Sequence, residues 1–225
     1  MSSQDLKHKA AIVRQRLLDA YGKPDWRPDY EPMDELVLTM LSANTSDVNS
    51  GRAFEQLQDA YAGWDQVMNA PVDELVEVIR PGGLAPTKAP RIQAALHRIL
   101  EERGEFEIDF LADLPVDEAA DWLTRLDGIG HKTASIVLLF CFGMPAFPVD
   151  THVKRVSRRL GFAQGKANAE KIKGIWEDLV PGDWFYDLHL NLIRHGRETC
   201  TARNPKCPVC PLQDQCDWYA RQQAT

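Results

Sequence analysis

Four cysteines near the C-terminus constrain this chain more than any other feature. Cys200, Cys207, Cys210 and Cys216 follow the spacing C-x6-C-x2-C-x5-C, with Pro208 and Pro211 beside the central pair. Four thiolates within 17 residues read as one metal site. An S4 donor set suits zinc or an iron–sulfur cluster, and spacing alone does not choose between them. Either metal closes residues 200–216 into a stapled loop. A disulfide framework is the weaker reading, because the cysteines number five and no secretory signal precedes Asp5. The fifth, Cys141, lies in an apolar run and reads as a small core residue. Arg203 and Lys206 in the loop, next to Arg194 and Arg197, make it a presenter of cations.

Helical periodicity dominates the rest. Leu6, Ala10, Val13 and Leu17 recur at helical spacing over residues 4–20. Further helices are expected at 33–41 with Pro32 near the start, and at 48–60, 72–80 and 88–102. "RPGGLAP" (80–86) reads as a loop, Pro115 opens a helix ending near Leu126, and 131–142 forms an apolar helix. Asp150 is placed to cap a basic helix at 151–160, followed by helices at 168–179 and 184–198. No convincing alternating strand is present, so the fold class is all-α.

Between two of these helices runs "LDGIGHKTASI" (126–136). Gly128 and Gly130 permit positive φ and close approach of backbone to a ligand. A tight turn entering a helix also aims free N–H groups outward, where they accept an anion such as phosphate. Lys132 falls in the first turn of the helix that follows. The helix dipole there disfavours a cation, and partial burial would add to the effect. Both favour a free, nucleophilic amine able to form a Schiff base. Asp150, brought back by the Gly/Pro loop at 143–149, could assist proton transfer or stabilise a cationic transition state. His152 alone reads as a structural hydrogen-bonder.

Charge is segregated. The net charge of −7 argues against indiscriminate nucleic-acid binding. Yet residues 101–121 hold nine acidic side chains and one basic, whereas 150–173 hold seven basic and two acidic. A basic face, including Lys154 and Arg155, is what a polyanion partner needs. The longest uncharged stretch, Thr133 to Val149, is broken by Gly143, Pro145 and Pro148 and is too short to span a bilayer. A soluble, cytoplasmic protein is expected, associated with the nucleoid in a prokaryote, with no membrane partner.

Together these motifs resemble the endonuclease III family of DNA glycosylases, in the helix–hairpin–helix/Gly-Pro-Asp superfamily, from about Leu36 to Cys216. The resemblance implies a six-helix barrel at about 25–143 with the helix–hairpin–helix at 120–142. It implies a discontinuous cluster domain, 1–24 with 144–225, and an active site in the cleft between the two. It makes Lys132 and Asp150 the catalytic pair, and makes the Cys200, Cys207, Cys210 and Cys216 loop a [4Fe–4S] site. "LSANTSD" (41–47) and "GGLAPTKA" (82–89) look like the loops that enter a duplex, with Asn44 filling the gap and Leu84 as the wedge. Gly128, Gly130, His152, Lys154 and Arg155 become DNA contacts. The implied activity is a monomeric, bifunctional glycosylase/lyase that removes oxidised pyrimidines such as thymine glycol from double-stranded DNA and cuts abasic sites. Rival readings are a non-catalytic DNA-binding module and a monofunctional adenine glycosylase; relatives of the latter kind lack the lysine. Four positions depart from the family's usual pattern. Asp127 replaces Pro, His131 replaces Arg, Asn44 replaces Gln, and Ala85 stands where a bulkier residue is frequent. An acid beside a phosphate-binding hairpin should weaken DNA affinity.

Overall fold

Proline and glycine set the helix boundaries throughout. The computed structural model describes residues 2–224. Its α-helices are α1 (Ser3–Tyr21), α2 (Pro32–Ser42), α3 (Asp47–Ala60), α4 (Trp64–Asn69), α5 (Val72–Val78), α6 (Ala85–Arg103), α7 (Val116–Thr124), α8 (His131–Phe142), α9 (Thr151–Leu160), α10 (Ala169–Leu179), α11 (Phe185–Glu198) and α12 (Asp217–Gln223). Short 3-10 turns join some of them, and no strand occurs among the described residues. None of these helices is long and apolar enough to cross a membrane.

Three elements differ from the sequence reading, one of them α12, a seven-residue helix where none was expected. Helix α4 was not expected; it is a six-residue turn held between Gly63 and Pro71, too short for a periodic signal. Helix α6 begins at Ala85, inside the expected loop, because Pro86 sits at its second position, where a missing N–H costs nothing.

The chain divides into two compact units. The hairpin unit, Pro28–Phe142, holds α2 to α8. Helix α8 packs on α2 and α7, burying Val137, Leu138 and Leu139 beside Leu36, Val37 and Leu123. Leu75, Ile79, Ile92, Leu96 and Ile99 extend its core from α5, its C-cap and α6, and Ala53, Phe54 and Leu57 from α3. At about 25 cal/mol per Å2 of apolar surface, this burial is the main driving force for the unit.

The cluster unit joins Met1–Arg27 to Gly143–Thr225. Ala10, Val13 and Leu17 of α1 are fully buried and bring the N-terminal helix onto α10 and α11. Arg14 Nε donates to Asp187 Oδ1 at 2.9 Å across that seam. An aromatic core of Phe147, Phe162, Trp176 and Phe185 fills the interior. The buried Trp176 Nε1–H is satisfied by Ser157 Oγ at 2.8 Å.

Candidate active site

The hairpin is fixed from below and bare above. Leu126 and Ile129 are buried at 3% and 5% exposure, while Asp127, Gly128, Gly130, His131 and Lys132 are exposed. The Ile129 amide closes the turn on Leu126 O at 3.1 Å, and Gly130 O accepts the Ala134 amide to start α8. Neither the Gly128 nor the Gly130 amide donates to a backbone acceptor among the described residues. The first amides of α8 also lack partners in their own helix, so donors cluster where an anion would sit. Gly128 has φ +83°, and a Cβ there would meet Arg91 at 3.1 Å and Met40 at 3.3 Å. Glycine is therefore favoured at 128 by conformation, and a larger residue would need Arg91 and Met40 to shift.

Lys132 stands on the second residue of α8, at the positive end of its dipole. The partial burial expected for it is not found: the side chain is exposed. The apolar part of α8 begins one residue later, with Thr133 and Ala134. The lysine thus projects from the rim of the core, accessible to a substrate.

The two candidate duplex-entering loops belong to the same unit and meet beside the hairpin. Asn44 (φ +55°) and Leu84 (φ +52°) are the non-glycine residues with positive φ among those described. A left-handed conformation costs a residue such as leucine about 1–2 kcal/mol and asparagine less, so the Leu84 tip above all is held by its surroundings. Leu84 is 57% exposed despite its size. A small cavity is lined by Asn44, Leu84, Lys88, Arg91 and Gly128, which unites the three motifs on one face. Sequence reasoning assigned no role to Lys88 or Arg91. Lys88 lies at the end of the loop motif and Arg91 just past it, both within the first two turns of α6, and only the fold shows that they line the cavity.

In the cluster unit, Asp150 caps α9: its Oδ1 accepts the Val153 amide at 2.7 Å. His152 Nδ1 lies 3.0 Å from Arg155 Nη2, in keeping with its reading as a structural hydrogen-bonder. Lys154 and Arg158 face an open groove shared with Thr151, Gln164 and Trp218. Arg155 has a task the sequence did not suggest. Its Nε donates to Cys200 O at 2.9 Å and its Nη2 to Gly196 O at 2.8 Å. Arg159 continues the pattern, donating to Thr201 O at 2.7 Å, Ala202 O at 3.0 Å and Cys200 Sγ at 3.3 Å. The basic helix therefore grips the cysteine loop with one part of its charge and offers the other part outward.

Cys200, Cys207, Cys210 and Cys216 line one cavity with His195, Leu160, Leu212 and Tyr219. Among the described residues no three His, Cys, Asp or Glu groups gather tightly enough to hold a single metal ion. An S4 donor set round one cavity suits zinc or an iron–sulfur cluster alike. N–H groups already address the sulfurs, from Arg159 to Cys200 and from the Tyr219 amide to Cys216 at 3.4 Å. Burial, with the other three thiols adding to it, pushes Cys210 up to about 11. A thiol so placed keeps its proton at neutral pH until a metal displaces it and binds the thiolate. His195, whose Nε2 is 3.7 Å from Cys210 Sγ, is pushed down to about 4 by burial and by Arg155, and Tyr21 OH fixes its ring at Nδ1. The donor set fits a [4Fe–4S] group. Cys141 differs: it is half-buried in α8, pushed up to about 12 chiefly by burial, and belongs to the other unit.

Comparison with known proteins agrees with these features. Residues 37–181 match the model of the HhH-GPD superfamily base excision DNA repair protein, and residues 200–216 match the iron–sulfur binding domain of endonuclease III. Endonuclease III of Escherichia coli strain K12 is 35% identical over 187 residues, 83% of this chain and 84% of that one. A relative from Arabidopsis thaliana is 36% identical over 189 residues, which are 80% of this chain and 64% of its own, longer one. Among solved structures, a non-covalent endonuclease III–DNA complex is similar with a TM-score of 0.83 at 28% identity, covering all of both chains. A trapped endonuclease III–DNA covalent intermediate is similar to the same degree over 99% of each.

Proposed function

The chain belongs to the endonuclease III family of the HhH-GPD superfamily, a DNA-binding base excision repair glycosylase/lyase with a [4Fe–4S] cluster, and from this we propose that it excises oxidised pyrimidines through a Schiff base on Lys132. The observation that carries the reading is Lys132 itself: an accessible amine at a helix N-terminus, beside a glycine hairpin with outward amides.

In this reading the Gly128 and Gly130 amides hold a backbone phosphate, and Arg91 adds a cation beside them. Leu84 enters the stack as an apolar wedge, and Asn44 fills the space left by the extruded base. Unstacking costs a few kcal/mol, least at a damaged pair. The Lys132 amine attacks the sugar C1′ and displaces the base, forming a C–N bond as the C1′–N bond breaks. Asp150 takes part in the proton transfers and stabilises positive charge on the sugar; its capping bond to Val153 holds the carboxylate in orientation. The C1′–O4′ bond of this aminal then opens as the lysine nitrogen forms the C=N bond and O4′ takes up a proton; the resulting iminium acidifies the C2′ proton, and β-elimination expels the 3′ phosphate and cuts the strand 3′ to the site. Lys154 contacts phosphate, with His152 and Arg155 supporting it from the same helix. The cluster would be held by Cys200, Cys207, Cys210 and Cys216, where it would staple the loop that presents cations; no step of the base removal runs through it. The enzyme acts as a monomer on cytoplasmic DNA.

A panel of duplexes with single lesions tests the substrate. Thymine glycol and related oxidised pyrimidines should be released and the strand cut. Release of adenine opposite 8-oxoguanine without strand cleavage would contradict the proposal. Asp150→Asn should slow base release by about 100-fold or more, the scale of a lost acid–base group.

A further inference from the structure

Lys88 is a buried ammonium with no carboxylate hydrogen-bonded to it among the described residues. It is 6% exposed, and its Nζ donates to two backbone carbonyls, Leu41 O at 2.5 Å and Gly82 O at 2.7 Å. Burial holds its pKa below the ordinary lysine value. It also sits in the second turn of α6, where the dipole still disfavours a cation. Burial and the α6 dipole oppose a charge here and only the two carbonyls favour it, so what the charge holds must explain it.

What it holds is the base of both loop tips. Leu41 is the penultimate residue of α2, so its carbonyl is one of those left without an intrahelical partner, and Asn44 follows three residues on. Gly82 closes the 3-10 turn Arg80–Gly82, two residues before Leu84. The Lys88 amide also bonds Leu84 O at 3.0 Å, joined by the Thr87 amide at 2.9 Å. One residue thus grips the wedge loop from both sides and ties it to the loop that carries Asn44. Asn44 and Leu84 are the pair in left-handed backbone. Lys88 also lines the cavity between them.

We propose that Lys88 is a positioning residue for base extrusion: its ammonium sets the spacing and the strained geometry of the Asn44 and Leu84 tips. The proposal rests on the reading of those tips as duplex-entering groups. It separates two stages of the reaction. Extrusion from a duplex needs both tips in register, whereas incision of an abasic site in a single strand needs only Lys132 and its neighbours.

The test compares Lys88→Met, Leu84→Ala and the double variant on a thymine glycol duplex with 2-aminopurine opposite the lesion. The same preparations are then assayed on a single-stranded abasic oligonucleotide. Lys88→Met should lower single-turnover base release from the duplex about 10- to 100-fold, the scale of a displacement near 1 Å, and remove the fluorescence rise that reports unstacking. Its single-strand incision should stay within about twofold. Taking the duplex-to-single-strand ratio on one preparation cancels any misfolded fraction. The double variant should be no slower than the slower single one, because a misplaced wedge has little left to lose. Equal loss on both substrates would reduce Lys88 to a residue of general stability and overturn the proposal, as would full duplex activity in Lys88→Met or multiplicative losses in the double variant. An unaffected Leu84→Ala enzyme would overturn the wedge reading itself, and the role of Lys88 with it.

Discussion

The cluster unit and the hairpin unit treat their polar groups in opposite ways. Around the cysteine loop, Arg155, Arg159 and Gln213 donate to loop carbonyls, Arg16 pairs with Asp214 and donates to Pro211 O, and Lys9 joins Leu160 O to Asp217. Together these bonds fix a segment with little regular structure. In the hairpin unit the groups near the proposed chemistry sit in unfavourable places. Asn44 and Leu84 are left-handed, Leu84 is an exposed apolar side chain, and Lys88 is a buried cation. Strain and exposure gather where the duplex is proposed to bind, and saturated hydrogen bonding gathers where the metal staple is held.

The sharpest way to break this contrast uses one glycine from each unit. Gly161 has φ +90°, and a methyl group there would overlap the Asp217 carboxylate that Lys9 holds. Gly161→Ala should destabilise the protein by about 3 kcal/mol or more, read as a falling Tm, because strain and overlap add. Gly128→Ala should cost less stability, since the Arg91 side chain can move, but should weaken DNA binding more. If both lose stability alike and neither loses binding selectively, the contrast fails.

Arg155 and Lys154 test it next, on neighbouring residues. Arg155→Met removes charge-assisted bonds to Cys200 O and Gly196 O and should cost about 2 kcal/mol of stability. Lys154→Ala should leave Tm within about 1 °C, in line with a surface change, yet lower the slope of log affinity against log salt by about one. An unchanged slope would return Lys154 to a merely solvated position.

Smaller effects follow from single charges in the hairpin unit. Burial raises the pKa of Glu35 above its ordinary 4.5, the Asp29 charge adding and the Thr39 hydroxyl opposing. The folded state therefore favours the neutral acid. Its stabilising contribution is complete below pH 4.5 and is lost as pH rises through the raised value. Glu35→Gln should match the parent in acid and exceed it at neutral pH by no more than about 4 °C in Tm, near 1 kcal/mol for a chain of this size. Asp127→Asn should tighten duplex binding by up to about fivefold at low salt, the scale of one exposed charge, and the gain should fade as salt is added.

Much of this molecule was legible in its sequence, for reasons that differ by region. The limits of α8 and α9 coincide with the expected ones because the Gly128–Gly130 turn and the Asp150 cap are local signals. The cysteine loop was legible because metal ligation imposes spacing on the chain itself. Helix α4 was not, since six residues carry no period. Nor was the exposure of Lys132, which depends on where the buried face of α8 begins rather than on the composition of the helix. Arg155 looked like its neighbours in charge, and only the position of Cys200 and Gly196 gives it acceptors. Lys88 stood within a motif already singled out, but its acceptor on Leu41 lies 47 residues away. Such long-range pairing leaves no mark on local sequence.

The central claim is that Lys132 forms a covalent bond to the sugar. Borohydride reduction during turnover of a thymine glycol duplex measures it directly, by the appearance of a protein–DNA adduct on a denaturing gel. The parent enzyme should cross-link, and Lys132→Gln should not, while still binding the duplex. An adduct formed equally well by Lys132→Gln would contradict the account.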